Sequence, residues 1–587
     1  MKIRLLLLSC LLVFLLAAPA LLPSYQITLM NYIGLSSIVV LGIVLLTGIG
    51  GLTSFGQAAF VGIGAYTTAL LTTSFGLSPW VSLLASLAFT GLVAFLLGLI
   101  TLGLSGHYLP VCTLAWSLCL YFLAGNLSVL GAHDGITAVP PVAIGQVVLQ
   151  EPRQVYYLIW LFALLSLWSV HNLLTSHSGR AIRCLRRHST MIESFGVDTR
   201  QLKNLIFIYA AVLAGLSGWL YAHLVLFVNP TPFGLNYSIE YLFMAVVGGA
   251  ATLWGSVVGA AALTILRDRL QDILPRLFGA GGAVELLVFG TLMVLVLHRA
   301  RTGIVPFVAR LLPPVEEPGV TNDGVGLPQS KRSDSPGKFL VIDRVSRRFG
   351  GLTAVNAVSF ELNKGEVLGL IGPNGAGKTT LFNLITGALK VSDGAIFFKG
   401  QRIDLLPAYR IAPLGIARTF QHVHLQSDMS TIDNVAIGAH LRRTKGVIQA
   451  LLRLDREEER KIRVEAWRNL KRVGLDAHAY QPAGELALGQ QRILEIARAL
   501  TANPELLLLD EPAAGLRHHE KMALAEILRA LRSEGVTILI VEHDMEFVMN
   551  LVDRIVVVDF GQKIAEGPPA EIQRNATVQK AYLGVAA

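Results

Sequence analysis

The feature that most constrains this chain is an absence. Between Arg4 and Asp134 lie 129 consecutive residues with no Asp, Glu, Lys or Arg. A water-soluble domain cannot cover its surface without charge over that length, so this part of the chain is expected in lipid. The rest is unlike it. The first 300 residues hold 13 of the 49 Lys+Arg and 8 of the 40 Asp+Glu, and the remainder carries most of the charge. A length of 587 residues also exceeds the roughly 250–300 at which single cores stop growing. The composition therefore excludes a wholly soluble protein, a disordered one and a secreted disulfide scaffold. It predicts two unlike parts, one in lipid and one in water.

About half of the net charge of +9 sits in the membrane part, where Lys and Arg mark cytoplasmic loops, so nucleic acid is not an expected partner. Cys10, Cys112, Cys119 and Cys184 show no metal spacing or disulfide framework and read as small packing residues.

Apolar stretches long enough to cross a bilayer run over about 3–22, 28–48, 80–104, 108–126, 154–173, 204–228, 238–265 and 283–299. The first also has the look of a signal peptide. A retained helix is the preferred reading, because the next apolar segment follows at once. Two stretches are interrupted by glycine: 50–73, reading G-G-L-T-S-F-G-Q-A-A-F-V-G-I-G-A-Y from its start, and 238–265, broken by G-G-A-A-T-L-W-G at 248–255. Glycine there permits close helix packing or a local break. Residues 312–338 are rich in Pro, Gly and Ser without apolar periodicity, which predicts a flexible linker. Beyond it, apolar strands alternate with charged amphipathic helices, the pattern of an α/β domain. The expected division is thus a transmembrane domain over 1–311, the linker, and an α/β domain over 339–587.

The α/β part carries a phosphate site. The strand E-V-L-G-L-I leads into G-P-N-G-A-G-K-T-T (372–380) and then an apolar helix, which is the strand–loop–helix setting that gives G-x-x-x-x-G-K-[ST] its meaning. Gly372, Pro373, Asn374, Gly375, Ala376 and Gly377 form a loop whose glycines let backbone N–H groups turn towards an anion, and the helix N-terminus adds its dipole. Lys378 is expected at the β/γ-phosphates of ATP, Thr379 on Mg²⁺, with Thr380 beside it. A second apolar strand ends in Asp510 and Glu511. Asp510 is placed to hold Mg²⁺, and Glu511 to orient or deprotonate an attacking water. A third strand leads to His543, which is in position for a contact with the γ-phosphate.

Topology follows by parity. The stretch 174–203 holds Arg180, Arg183, Arg186, Arg187, Arg200 and Lys203 and is expected in the cytoplasm. The same side is required of a tail that holds an ATPase. An even number of crossings must then separate the two, yet three apolar segments lie between, so 238–265 is expected not to be a simple span. Arg180, Arg183 and Arg187, at i, i+3 and i+7, would share a helical face. They read as topology-setting charge, as a short helix docking on the ATPase, or as both.

These residues resemble the ATPase subunit of ABC transporters over roughly 340–587. The resemblance implies an adenine-stacking role for Phe349. It makes R-T-F-Q (418–421) a Q-loop whose Gln421 senses Mg²⁺ and the membrane partner, and His543 the switch histidine. It also makes Leu486, Ala487, Leu488, Gly489 and Gln490 a signature motif serving a nucleotide held across a dimer. Ala487 and Leu488 depart from the usual serine and glycine, and Arg517 stands where the D-loop usually has Asn or Asp. The closer resemblance is to the hydrophobic (branched-chain) amino acid uptake family. It rests on F-G-G-L-T-A-V, R-T-F-Q-H-V, L-G-Q-Q-R-I-L-E-I-A-R, D-E-P-A-A-G-L, E-H-D-M and A-Y-L-G in the ATPase part. In the membrane part it rests on residues 51–66, G-H-Y-L-P-V-C-T-L (106–114), S-G-R-A-I-R (178–183) and 248–255. It implies a type II ABC importer-like, all-α polytopic membrane domain fused to a P-loop ABC ATPase in the inner membrane, with the ATPase cytoplasmic. Implied partners are a second permease, a second ATPase and a periplasmic or surface substrate-binding protein, with a small amino-acid-like substrate. Urea or short amides, and an exporter of lipid or drug, are the alternatives. His107 and His133 read as loop or packing residues, and hydroxyls such as Thr53, Ser54 and Thr67 as the expected polar contacts along the uncharged run.

Overall fold

The computed structural model describes residues 2–103, 108–278, 302–311, 324–328 and 338–583, with scattered positions between 290 and 299. Most of the expected span 283–299, His107 and most of 312–338 lie outside the described residues. Contacts divide the chain into one unit of 1–175 with 200–316, and another of 176–199 with 317–587.

Among the described residues, the first unit is helical apart from a short hairpin, Val142–Ile144 with Val147–Leu149, and irregular connections. Five of its described helices are long and apolar enough to cross a membrane: Ser24–Ile49, Pro79–Thr101, Tyr108–Asn126, Pro152–Leu174 and Thr199–Val225. The first segment forms the helix Lys2–Leu21, and the Tyr156 hydroxyl donates to the Leu15 carbonyl at 3.1 Å. Both glycine-interrupted stretches are broken. A π-type turn, Val44–Ile49, ends the second helix. Residues 50–56 are irregular, and a new helix runs over Gln57–Thr73. The later stretch is a pair, Leu235–Gly248 and Leu253–Ile273, bent by 118°. It is therefore not one straight span. Gly249 sits at the bend with φ +121°, a conformation L side chains avoid. The glycines also serve packing. A Cβ on Gly64 would lie 2.3 Å from the Gly215 carbonyl oxygen, and one on Gly218 would lie 2.0 Å from that of Val61, so these two helices touch backbone to backbone.

In the second unit a six-stranded sheet runs Gln562–Gly567, Arg554–Asp559, Val367–Ile371, Thr537–Val541, Leu506–Asp510, Ile416–Arg418 across its width, parallel except for the first edge strand. The central strands read as continuous apolar runs because both faces are covered. Leu507, Leu509, Ile538, Ile540 and Val557 enter one core, while Leu508, Leu539, Leu368 and Val556 enter another on the opposite face. A four-stranded antiparallel sheet, order Leu352–Asn363, Lys338–Phe349, Asp393–Phe398, Gln401–Arg402, closes the second core. Within the expected linker, Leu327 is buried in the first core and its carbonyl accepts from Arg442 at 3.1 Å.

Candidate functional site

The carboxyl ends of parallel strands are where open α/β sheets bind ligands, and the sequence-predicted residues gather there. The loop 372–377 leaves the strand Val367–Ile371 and enters the helix Lys378–Ile385. Gly375 and Gly377 take φ of +83° and +97°, and a Cβ on Gly377 would meet the Ala354 carbonyl oxygen at 2.4 Å. Only glycine turns the loop N–H groups inward in this space. The Lys378 ammonium is buried and donates to the carbonyls of Gly372 (2.7 Å) and Pro373 (2.9 Å). Burial lowers its pKa, against the raising influence of Glu511 and Asp510. Thr379 is exposed at the mouth.

Asp510 ends its strand 1% exposed, and neither carboxylate oxygen has a hydrogen-bond partner among the described residues. Burial pushes its pKa up to about 6, with Arg418 pulling the other way. Two buried, unpartnered hard oxygens beside a phosphate loop fit a divalent cation. Glu511 follows at φ +50°, which swings its side chain away from that of Asp510. It meets His543, whose Nε2 lies 2.6 Å from Glu511 Oε1. The strand Ile416–Arg418 runs parallel to Leu506–Asp510, and the Asp510 N–H donates to the Thr419 hydroxyl at 3.3 Å. The Q-loop candidate Gln421 therefore starts beside the acidic strand end. Phe349 closes a hairpin, 42% exposed, with the Arg347 guanidinium 4.7 Å from its ring centre.

The signature candidate heads the separate helix Leu488–Thr501. Ala487 is its N-cap, with the Ala487 N–H donating to the Gln490 side chain at 3.1 Å, and Leu488 is 56% exposed. Gly489 is confined, since a Cβ there would lie 2.8 Å from a Glu520 carboxylate oxygen.

The basic stretch folds with this unit. Ser176 caps the helix His177–Cys184 by accepting from the Gly179 N–H at 3.3 Å. Arg180 is 3% exposed and pairs with Glu459 at 2.8 Å and Asp433 at 3.6 Å. The His177 N–H also donates to Glu459, at 2.6 Å. Burial alone would raise the Glu459 carboxyl, but Arg180 and His177 hold it at about 2. Arg183 shares the helix with Arg180. Arg187 lies beyond its end at Cys184, so the expected three-arginine face is only partly helical. Further along, the His188 ring lies 5.2 Å from that of His424, three residues past Gln421, and Phe195 lies under the Arg498 guanidinium. Arg498 is fully buried, paired with Glu495 at 2.8 Å, and donates to the His424 carbonyl at 2.7 Å. The segment 176–199 thus touches both His424, three residues past Gln421, and Arg498 of the helix Leu488–Thr501.

Several residues here were not singled out from sequence. Glu542 is buried, accepts from the Ala513 and His543 N–H groups at 2.5 and 3.0 Å, and so ties the loop after Glu511 to His543. Arg418 bonds Asn383 of the phosphate-loop helix and Thr386 just past its end, at 2.9 and 2.7 Å. Its place next to Phe420 and Gln421 was the available signal.

Comparison with known proteins gives three family matches. Residues 25–297 match the permease component of the branched-chain amino acid transport system, 355–514 match ABC transporter, and 562–587 match branched-chain amino acid ATP-binding cassette transporter. The high-affinity branched-chain amino acid transport ATP-binding protein LivG of Salmonella typhimurium is 45% identical over 253 residues, covering 42% of this chain and 98% of that protein. BraF of Pseudomonas aeruginosa, described in the same words, is 43% identical over 251 residues, again 42% of this chain and 98% of the relative. A nucleotide-free ATP-binding cassette from an ABC transporter, known by crystal structure, is 30% identical, with a TM-score of 0.38, covering 43% of this chain and all of its own.

Proposed function

The chain belongs to the family of branched-chain amino acid ABC transporters, and from that premise we propose that it joins one permease and one ATPase of an importer. It takes branched-chain or related hydrophobic amino acids across the inner membrane, driven by ATP hydrolysed on the cytoplasmic side. The observation that carries this reading is the succession on one chain of the permease match and the two ATP-binding matches.

The loop 372–377 and Lys378 bind the ATP phosphates, and the Lys378 ammonium trades its two carbonyl acceptors for phosphate oxygens. Phe349 stacks on the adenine. Asp510, Thr379 and Gln421 would hold Mg²⁺, which supplies neutralisation of phosphate charge; the two unpartnered Asp510 oxygens are the fit for it. Glu511 polarises the attacking water while His543 fixes its carboxylate by the 2.6 Å bond. A second ATPase supplies the facing signature, and Leu486–Gln490 of this chain serve the partner's nucleotide in turn. The docked helix His177–Cys184 passes ATPase movement to the permease. A second permease and a substrate-binding protein complete the assembly.

The test is uptake by proteoliposomes holding the chain with its partner subunits and binding protein. ATP-dependent entry of leucine, isoleucine or valine, lost in Lys378→Ala, is expected. Hydrolysis without flux of any of the three would overturn the reading, and entry of urea instead would favour the short-amide alternative.

A further inference from the structure

The uncharged run offers a substrate no side-chain ion pair, but the helical unit does so further along. A cavity of about 390 Å³ opens between the two arms of the bent pair and the helix that begins at Ser24. That volume falls within the range of small-ligand sites, about 300–1,000 Å³. Glu240 on one arm and Arg267 on the other face into it, paired at 3.0 Å, their side chains 17% and 38% exposed. Asp268 lies next to Arg267 and accepts from the Tyr25 hydroxyl. Arg267 opens the charged end of its helix, Arg267-Asp268-Arg269, while Glu240 stands in an otherwise apolar arm, and broken helices are where transport sites form. Around the charges stand Tyr25, Tyr32, Tyr221, Tyr237 and Tyr241, with the Arg267 guanidinium 5.6 Å from the Tyr237 ring centre. The remaining wall is apolar, with Leu29, Leu35, Val61, Phe233 and Met244. A second cavity of the unit, about 310 Å³ and bordered by Thr67, has no charged side chain in its wall.

We infer that the Glu240–Arg267 cavity is a binding site for the transported zwitterion, an inference that rests on the proposed amino acid substrate. The chemistry matches group by group. Arg267 presents a forked donor to an α-carboxylate. Glu240 and Asp268 offer carboxylate oxygens to an α-ammonium, and the tyrosine faces attract the same cation. The aliphatic side chain takes the apolar wall. Thr53, Ser54 and Thr67, the sequence-based candidates, do not border this cavity.

The experiment uses the complete transporter in proteoliposomes. Thr264, which borders the cavity, is replaced in Thr264→Cys, and its maleimide labelling is read by peptide mass spectrometry with and without saturating L-leucine. Leucine should slow labelling at least fivefold. It should do so much better than 3-methylbutylamine, which lacks the carboxylate. In Arg267→Gln the protection and the preference for leucine over the amine should both disappear, and Arg267→Lys should restore part of each. A purely structural Glu240–Arg267 pair would not move that preference. Leucine uptake without protection at position 264, or an unchanged preference in Arg267→Gln, overturns the site while leaving the importer reading intact. Absence of leucine uptake by the unmodified transporter overturns both.

Discussion

Replacing Arg180 by Ala should undock the segment 176–199 from the ATPase. The guanidinium is 3% exposed and bonds Glu459 at 2.8 Å, and the Glu459 side chain is itself only 14% exposed. The Glu459 carboxyl lies at about 2 against an ordinary 4.5. At about 1.4 kcal/mol per pKa unit, that displacement corresponds to about 3 kcal/mol by which the attraction of Arg180 and His177 exceeds the cost of burial. Removing one partner of a buried pair also costs about 3–5 kcal/mol, because a buried charge is stranded. The two routes agree, and about 3 kcal/mol is about a hundredfold in the docked-to-undocked ratio. Hydrogen–deuterium exchange of peptides from 176–199 reads that ratio directly. Amides of the helix His177–Cys184 should exchange about a hundredfold faster in Arg180→Ala. The leucine moved per ATP hydrolysed should fall, with hydrolysis itself persisting. The double replacement Arg180→Met with Glu459→Met should recover much of the protection, since apolar residues of similar volume often replace a buried pair without loss. Exchange within about threefold of wild type, with normal transport per ATP, would refute the reasoning.

Further outcomes follow from the same site. Glu511→Gln keeps the hydrogen bond geometry to His543 but not the base, so ATP binding should persist while single-turnover hydrolysis falls at least a hundredfold. Gly377→Ala forces a Cβ to within 2.4 Å of the Ala354 carbonyl at φ +97°, whereas Gly375→Ala, at φ +83°, meets open space. Nucleotide titration and thermal unfolding should show Gly377→Ala as much the worse, with Gly375→Ala losing only about 1–2 kcal/mol of backbone strain. The Glu459 carboxyl is depressed, so its share of stability is full above the ordinary carboxyl value of 4.5 and is lost as the pH falls through about 2. The difference in melting temperature between wild type and Arg180→Ala should therefore hold constant from pH 8 to 5 and shrink only below about pH 4.

What could be read from the sequence was what depends on adjacent residues. The phosphate loop carries its strand, glycines, lysine and helix within the nineteen positions 367–385, so its geometry is written locally, and the Asp510–Glu511 strand end is equally self-contained. The broken character of 238–265 was legible because a parity argument used charge and length alone. Glu459, Asp433 and Glu542 were not legible. They are ordinary acidic residues on charged helices or strand ends until folding brings Arg180 or the loop after Glu511 to them, and the Arg180–Glu459 separation is 279 positions. Glu240 and Arg267 hid for another reason, since only a sharp bend sets the two arms face to face. The end of the docked helix at Cys184 also escaped, because the spacing of three arginines says which residues would align, not where the hydrogen bonds stop.

The fold of 176–199 into the ATPase unit has a consequence for assembly. This segment leads directly into the helix Thr199–Val225, and the same polypeptide later continues into the ATPase strands. Its engagement is thus intramolecular. For separate subunits, docking depends on concentration. For tethered partners it is governed by an effective concentration that is about millimolar when the connection is short and flexible. Dilution of the chain therefore cannot release this contact, and a free ATPase competing for the segment would need to exceed that local concentration. The pairing of this permease with this ATPase is fixed at one to one by covalent connection, with no recognition between separate surfaces needed to select it.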